Sequence, residues 1–175
     1  MLRILIDMAL KRGGKHLYYV ATNDAILKIR DWIYENYPEL IGQVGIFTTI
    51  SDPETKRQQL DKAIILTTTK SAGAAVDIPG LVETVVLAEP FKSKVLAQQT
   101  FGRTRAADTT YKDLVDTGFF FTKRFYEEKK PVFTKYATDC REVTLRQSDL
   151  IKTSDAIKEK HDNLIQPMEF FDDRD

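Results

Sequence analysis

Two arginines one residue apart close the run Gln99-Thr100-Phe101-Gly102-Arg103-Thr104-Arg105. Arginine cannot shed its charge and forks two donors onto phosphate oxygens, so such a pair suits a phosphoryl group. Further upstream, Thr69, Lys70 and Ser71 place hydroxyls and a cation just after an apolar run, and Thr22 follows another. Hydroxyl and amide donors at a helix start can hold a phosphodiester backbone; the same residues are also ordinary helix caps. Asp77-Ile78-Pro79 lies between the two sets, with an acidic residue entering a turn.

Other chemistries find no support. There is no G-x-x-x-x-G-K-[ST] run: Gly13-Gly14-Lys15 is followed by His16 and precedes an apolar segment instead of following one. No Asp-Glu pair ends a buried run as a magnesium-holding motif would. His16, His161 and Cys140 have no metal-ligand spacing. A small nucleotide-dependent transferase or phosphatase would need a phosphate cradle or a nucleophile that is absent. With one cysteine there is no internal disulfide, and a reducing compartment fits. No apolar run is long enough to cross a bilayer. The apolar start, 1–10, is interrupted by Asp7 and reads as a docking helix, not a signal peptide.

The elements that must position these residues follow from periodicity. Apolar runs without polar alternation predict strands buried on both faces over 17–21, 44–48, 63–66 and 82–88, with a further strand over 112–121. Leu2, Ile6, Ala9 and Leu10 predict a first helix, stopped at Gly13-Gly14. Thr22 or Asn23 caps a second, with Ile26, Ile29 and Ile33 on one face. Ser51 and Glu54 have capping-box spacing for a third, where Lys56 and Arg57 form a solvated face. A helix over 123–137 contains Pro131, which costs about 3 kcal/mol in a helix interior, so a break is expected near Lys130. A short edge strand over 142–146 and a helix from Ser148 to about residue 163 complete the chain, with a frayed acidic tail. Strand and helix alternate through short connections, the signature of a parallel, doubly wound sheet.

At 175 residues, 42% apolar and 30% charged, the chain has the composition of a globular domain with a real core. Net charge is zero. From Lys92 to Arg146 there are twelve Lys and Arg against seven Asp and Glu, a surplus of five and a hint of a basic face.

Thr69…Asp77-Ile78-Pro79 followed by Gln99-x-x-Gly102-Arg103-x-Arg105 resembles motifs V and VI of superfamily 2 helicases, over roughly residues 15 to 116. The resemblance implies a RecA-like α/β domain, the second of a two-domain motor, with a parallel sheet and helices on both faces. It would occupy residues 1–146, with a C-terminal helical extension and acidic tail over 147–175. It implies that Arg103 is an arginine finger for the γ-phosphate of ATP, with Arg105 beside it. The family spaces its second arginine three residues after the first; here Ala106 holds that slot. Asp77 would meet the nucleotide ribose or a motif VI arginine, though Ala75 stands where the family has glycine. Gln99 and Gly102 would line the nucleotide side. Thr69, Lys70, Ser71 and, as a motif IV position, Thr22 would hold the nucleic-acid backbone.

By the same resemblance, ATP is shared with a first RecA-like domain that also holds magnesium. That domain lies on the same full-length chain or on a separate subunit, so the segment alone is inactive as an ATPase. DNA is favoured over RNA, no membrane is involved, and the place of action is the cytoplasm or wherever the genome resides. The alternative is a non-catalytic doubly wound module that binds nucleic acid or protein.

Overall fold

The computed structural model describes residues 1–48, 52–71, 77–87, 93–102 and 109–146. Gly13–Cys140 forms one compact unit; Met1–Arg12 lies outside it, as do residues 141–146. The outer segment holds α1 (Leu2–Arg12), with Leu5, Ile6 and Ala9 buried. Gly13 and Gly14 end that helix at φ of 69° and 78°, the left-handed region that glycine enters without strain.

The main unit alternates β1 (Lys15–Tyr19), α2 (Asn23–Asn36), a 3-10 turn (Pro38–Leu40), β2 (Val44–Phe47), α3 (Pro53–Leu60), β3 (Ile64–Thr67), β4 (Leu81–Val86), α4 (Lys94–Phe101), β5 (Thr110–Asp113) and α5 (Phe120–Tyr136). The five strands form one sheet in the order β2-β3-β1-β4-β5, and every pair is parallel. The register sorts side chains into two faces, because residues two apart share one. Leu17, Tyr19, Ile65 and Val86 point to the face where Ala97 of α4 and Phe133 of α5 complete the core. His16, Tyr18, Ile64, Glu83 and Val85 point to the other and are also buried. Strands buried on both faces explain the unbroken apolar runs.

Close packing fixes α3. Gly45 of β2 lies against its end, where a Cβ would come 2.2 Å from the Gln59 carbonyl oxygen. The Gln59 side chain in turn accepts from Ile46 N at 2.9 Å, covering an edge-strand donor.

Several expectations need correction. The cap of α3 is Asp52, which accepts from the Glu54 and Thr55 backbone N–H groups; proline at the first helical positions leaves the preceding residue as the cap. Ser51 lies outside the described residues. The fifth strand stops at Asp113, and the phenylalanines expected to end it open α5 instead. That helix runs unbroken through Pro131, and residues 142–146 form no strand. The expected helix from Ser148 and the acidic tail lie outside the described residues. Among the described residues, no helix is long and apolar enough to cross a membrane.

Candidate nucleotide and nucleic-acid site

Strand order decides where ligands can gather. After β1 the chain leaves toward β2; after β3 it crosses to β4 on the far side of β1. Neighbouring strands that send their chains in opposite directions open a crevice at their carboxyl ends. At that end Val20 N donates to Thr67 O at 2.7 Å and Leu87 N to Tyr19 O at 2.9 Å, so the segments after β3, β1 and β4 start side by side.

Thr22 is exposed there as the cap of α2, its hydroxyl oxygen accepting from Ala25 N at 3.1 Å. The hydroxyl proton remains available to a ligand. After β3 the chain folds into a tight turn. Ser71 N donates to Thr68 O at 3.1 Å, and the Thr68 and Ser71 hydroxyls lie 2.9 Å apart. Thr69 and Ser71 are consequently buried, and Lys70 between them is exposed. Ser71 therefore shapes the turn, while Lys70 is exposed three residues beyond β3.

The second set gathers at the opposite end. Asp77, exposed, enters the turn in which Leu81 N donates to Ile78 O at 3.1 Å. Gly80, at φ 79°, completes that turn, and its carbonyl accepts from Lys15 N at 3.0 Å, at the start of β1. A helix linking parallel strands runs back along the sheet, so the last turn of α4 arrives at this same end. There the Phe101 ring meets that of Tyr111 at 5.3 Å, and the Thr100 hydroxyl lies 3.1 Å from the Tyr111 hydroxyl. Thr109 donates to Leu81 O at 3.3 Å, joining the start of β5 to the turn beyond Asp77.

Gln99 is exposed on α4. Gly102 ends the helix at φ −63°, an ordinary helical value. A Cβ there would meet the Gln98 carbonyl oxygen at 3.0 Å, so the close approach the glycine permits is to its own helix. An exposed carboxylate and an exposed carboxamide at one end suit a nucleotide's hydroxyls and phosphate oxygens. Arg103 and Arg105 lie outside the described residues; they belong to the connection between Gly102 and Thr109. Among the described residues, no group of three or more His, Cys, Asp and Glu is arranged to hold a metal ion.

Two buried charged groups escaped the sequence reading. Glu83 is 2% exposed, with Lys112 Nζ at 2.6 Å and His16 Nδ1 at 3.5 Å. Burial alone would raise its carboxyl. His16 beside it and Lys112, bonded at 2.6 Å and charged, outweigh burial and hold it below the ordinary value. Burial, helped by the Glu83 charge, pushes the Tyr18 hydroxyl well above the usual tyrosine range. On the opposite face Lys129 bonds Asp113 at 2.6 Å, both buried. The available signal was a lone glutamate inside the apolar run Leu81–Val86.

No protein-family model matches the chain, and no curated protein matches it by sequence. Solved structures do. The crystal structure of the C-terminal part of the Fun30 ATPase domain is similar over 86% of this chain and 48% of its own, at 10% identity and a TM-score of 0.53. S. cerevisiae Dbp5 bound to RNA and ADP BeF3 is similar over 90% of this chain and 41% of its own, at 15% identity and a TM-score of 0.57. A Dbp5 point variant in the same complex gives 14% identity and 0.55. This chain thus spans less than half of each. What is shared is the fold: an α/β domain built on a RecA-like parallel sheet.

Proposed function

We propose that this chain is the second motor domain of an ATP-driven superfamily 2 helicase or translocase, working against a first RecA-like domain. The observation that carries the reading is the sorting of candidate residues between the two ends of one RecA-like sheet. Thr22 and Lys70 stand at the carboxyl end, while Asp77 and Gln99 stand at the amino end beside the connection that holds Arg103 and Arg105. Support also comes from Dbp5, whose matched structure holds RNA and a nucleotide.

In this function the chain's residues divide the labour. Thr22 and Lys70 hold strand phosphates, with Thr69 and Ser71 shaping the turn beneath. Such contacts position a backbone without reading its sequence. DNA is the favoured strand. Asp77 and Gln99 meet the nucleotide, and Gly102 ends α4 immediately before Arg103. Arg103, with Arg105 beside it, supplies positive charge where the γ-phosphate gathers negative charge. ATP, when bound, supplies the phosphoanhydride, and magnesium is held by the first domain. Because the arginines act only on a nucleotide held by that domain, this chain alone is a poor ATPase.

Steady-state hydrolysis in the presence of single-stranded DNA tests the reading. The chain alone is expected to turn over little ATP. Supplied with its first domain it should turn over rapidly, and Arg103→Ala should lower kcat by about 10³-fold or more while sparing ATP binding. Undiminished turnover in that variant would remove the finger role. Robust turnover by the chain alone would break the two-domain reading.

A further inference from the structure

Among the described residues of the main unit, Phe120 is the most exposed large apolar side chain, and it is flanked by two more exposed phenylalanines. Phe119, Phe120 and Phe121 are 54%, 81% and 49% exposed. Their setting is ordered. The Asp116 carboxylate accepts from Gly118 N at 2.8 Å, and the Thr122 hydroxyl donates to the Phe119 carbonyl at 2.8 Å and also to that of Asp116. The Phe121 ring lies 5.7 Å from Phe119 and 6.2 Å from Phe125, forming a short aromatic row. Lys123 and Arg124 are exposed on the next turn, Arg124 reaching Glu128 at 3.4 Å.

Position makes this patch more than a hydrophobic blemish. Lys129 of α5 bonds Asp113, the last residue of β5, so the row, about two turns earlier on α5, projects beyond the carboxyl end of the sheet. Thr22 and Lys70 follow β1 and β3 at that same end. Neighbouring strands lie about 4.8 Å apart, so β5 stands about 10 Å from β1 across the sheet, within the reach of a few nucleotides. Aromatic faces beside cations are the means by which proteins bind single strands without sequence preference.

We infer that Phe119, Phe120 and Phe121 form a base-stacking platform that extends the single-strand path across the carboxyl end of the sheet, with Lys123 and Arg124 meeting its phosphates. The inference rests on the strand contact proposed above. Exposed aromatics also occur at protein interfaces; the flanking cations Lys123 and Arg124, and the position at the end of the sheet where Thr22 and Lys70 stand, favour nucleic acid.

Fluorescence anisotropy of a labelled 20-nucleotide oligothymidine with the full chain tests it, circular dichroism confirming that each variant is folded. Phe120→Ala and the pair Phe119→Ala/Phe121→Ala should each weaken binding roughly tenfold or more, whereas Phe120→Trp should keep it. Phe120→Leu, apolar but not aromatic, should behave like the alanine variant. If Lys70→Ala weakens binding while the phenylalanine variants match wild type, the platform is overturned and the strand contact stands. If the wild-type chain binds no oligonucleotide, the strand contact itself fails and the platform with it. Self-association abolished by Phe120→Ala, with oligonucleotide affinity unchanged, would assign the patch to a second copy and overturn the inference.

Discussion

Glu83 makes β4 sensitive to acid. An ordinary glutamate titrates near 4.5, and in the folded chain this one is held lower by His16 and Lys112. A carboxyl depressed by folding contributes its stability in full above its unfolded value and loses it as the pH falls through its folded value. Urea midpoints should therefore drop as the pH goes below about 4.5, and Glu83→Gln should flatten that fall; an unchanged acid limb would show that Glu83 does not govern it. The Lys129–Asp113 pair is the second case. Breaking a buried pair strands the surviving charge, so Lys129→Met should cost about 3–5 kcal/mol in a urea titration, with Lys129→Met/Asp113→Leu recovering most of it. Neither pair was legible in the sequence, because lysine and aspartate are common on solvated surfaces. Only the fold brings Lys129 of α5 over Asp113 of β5.

The described helices and strands show where local chemistry is sufficient information and where it is not. The sequence offers Thr22 or Asn23 as a cap, and Thr22 caps α2; buried apolar runs read as strands, and the strands pair in parallel. The errors fall where two patterns look alike. A run such as Phe119-Phe120-Phe121 carries no period, so it reads as a buried strand even though Asp116-Thr117-Gly118 has already turned the chain into a helix start. Pro131 predicts a break near Lys130, but Phe133 packs in the core two residues beyond and the helix continues. Tertiary burial outweighs a local penalty of about 3 kcal/mol. The penalty is still present, since residue 131 has no N–H for the Glu127 carbonyl. Pro131→Ala should accordingly raise stability by up to about 3 kcal/mol, read as a higher urea midpoint with an unchanged slope. A variant less stable than wild type would mean that the proline ring itself is needed on that surface.

For the whole molecule, the informative feature is that one sheet separates two groups of candidate residues. The candidate residues were legible as types, since hydroxyls, lysine and arginine suit phosphates wherever they stand. Their separation was not, because it depends on the course of the chain between Thr68 and Gly80, which starts at the carboxyl end of β3 and finishes at the amino end of β4. A strand rises about 3.3 Å per residue, so strands of this length hold the two ends roughly 15 Å apart. Groups that far apart, sharing no partner, act additively. Lys70→Ala should weaken binding to single strands of every sequence alike and lower the salt slope by about 1, with little effect on nucleotide affinity. Asp77→Asn should do the reverse, weakening nucleotide binding by the complete motor and leaving oligonucleotide affinity unchanged. The double variant should show the product of the two single effects. Strong coupling between Lys70 and Asp77 in the isolated chain would mean that the two ends are one site, and the division of labour across the sheet would have to be abandoned.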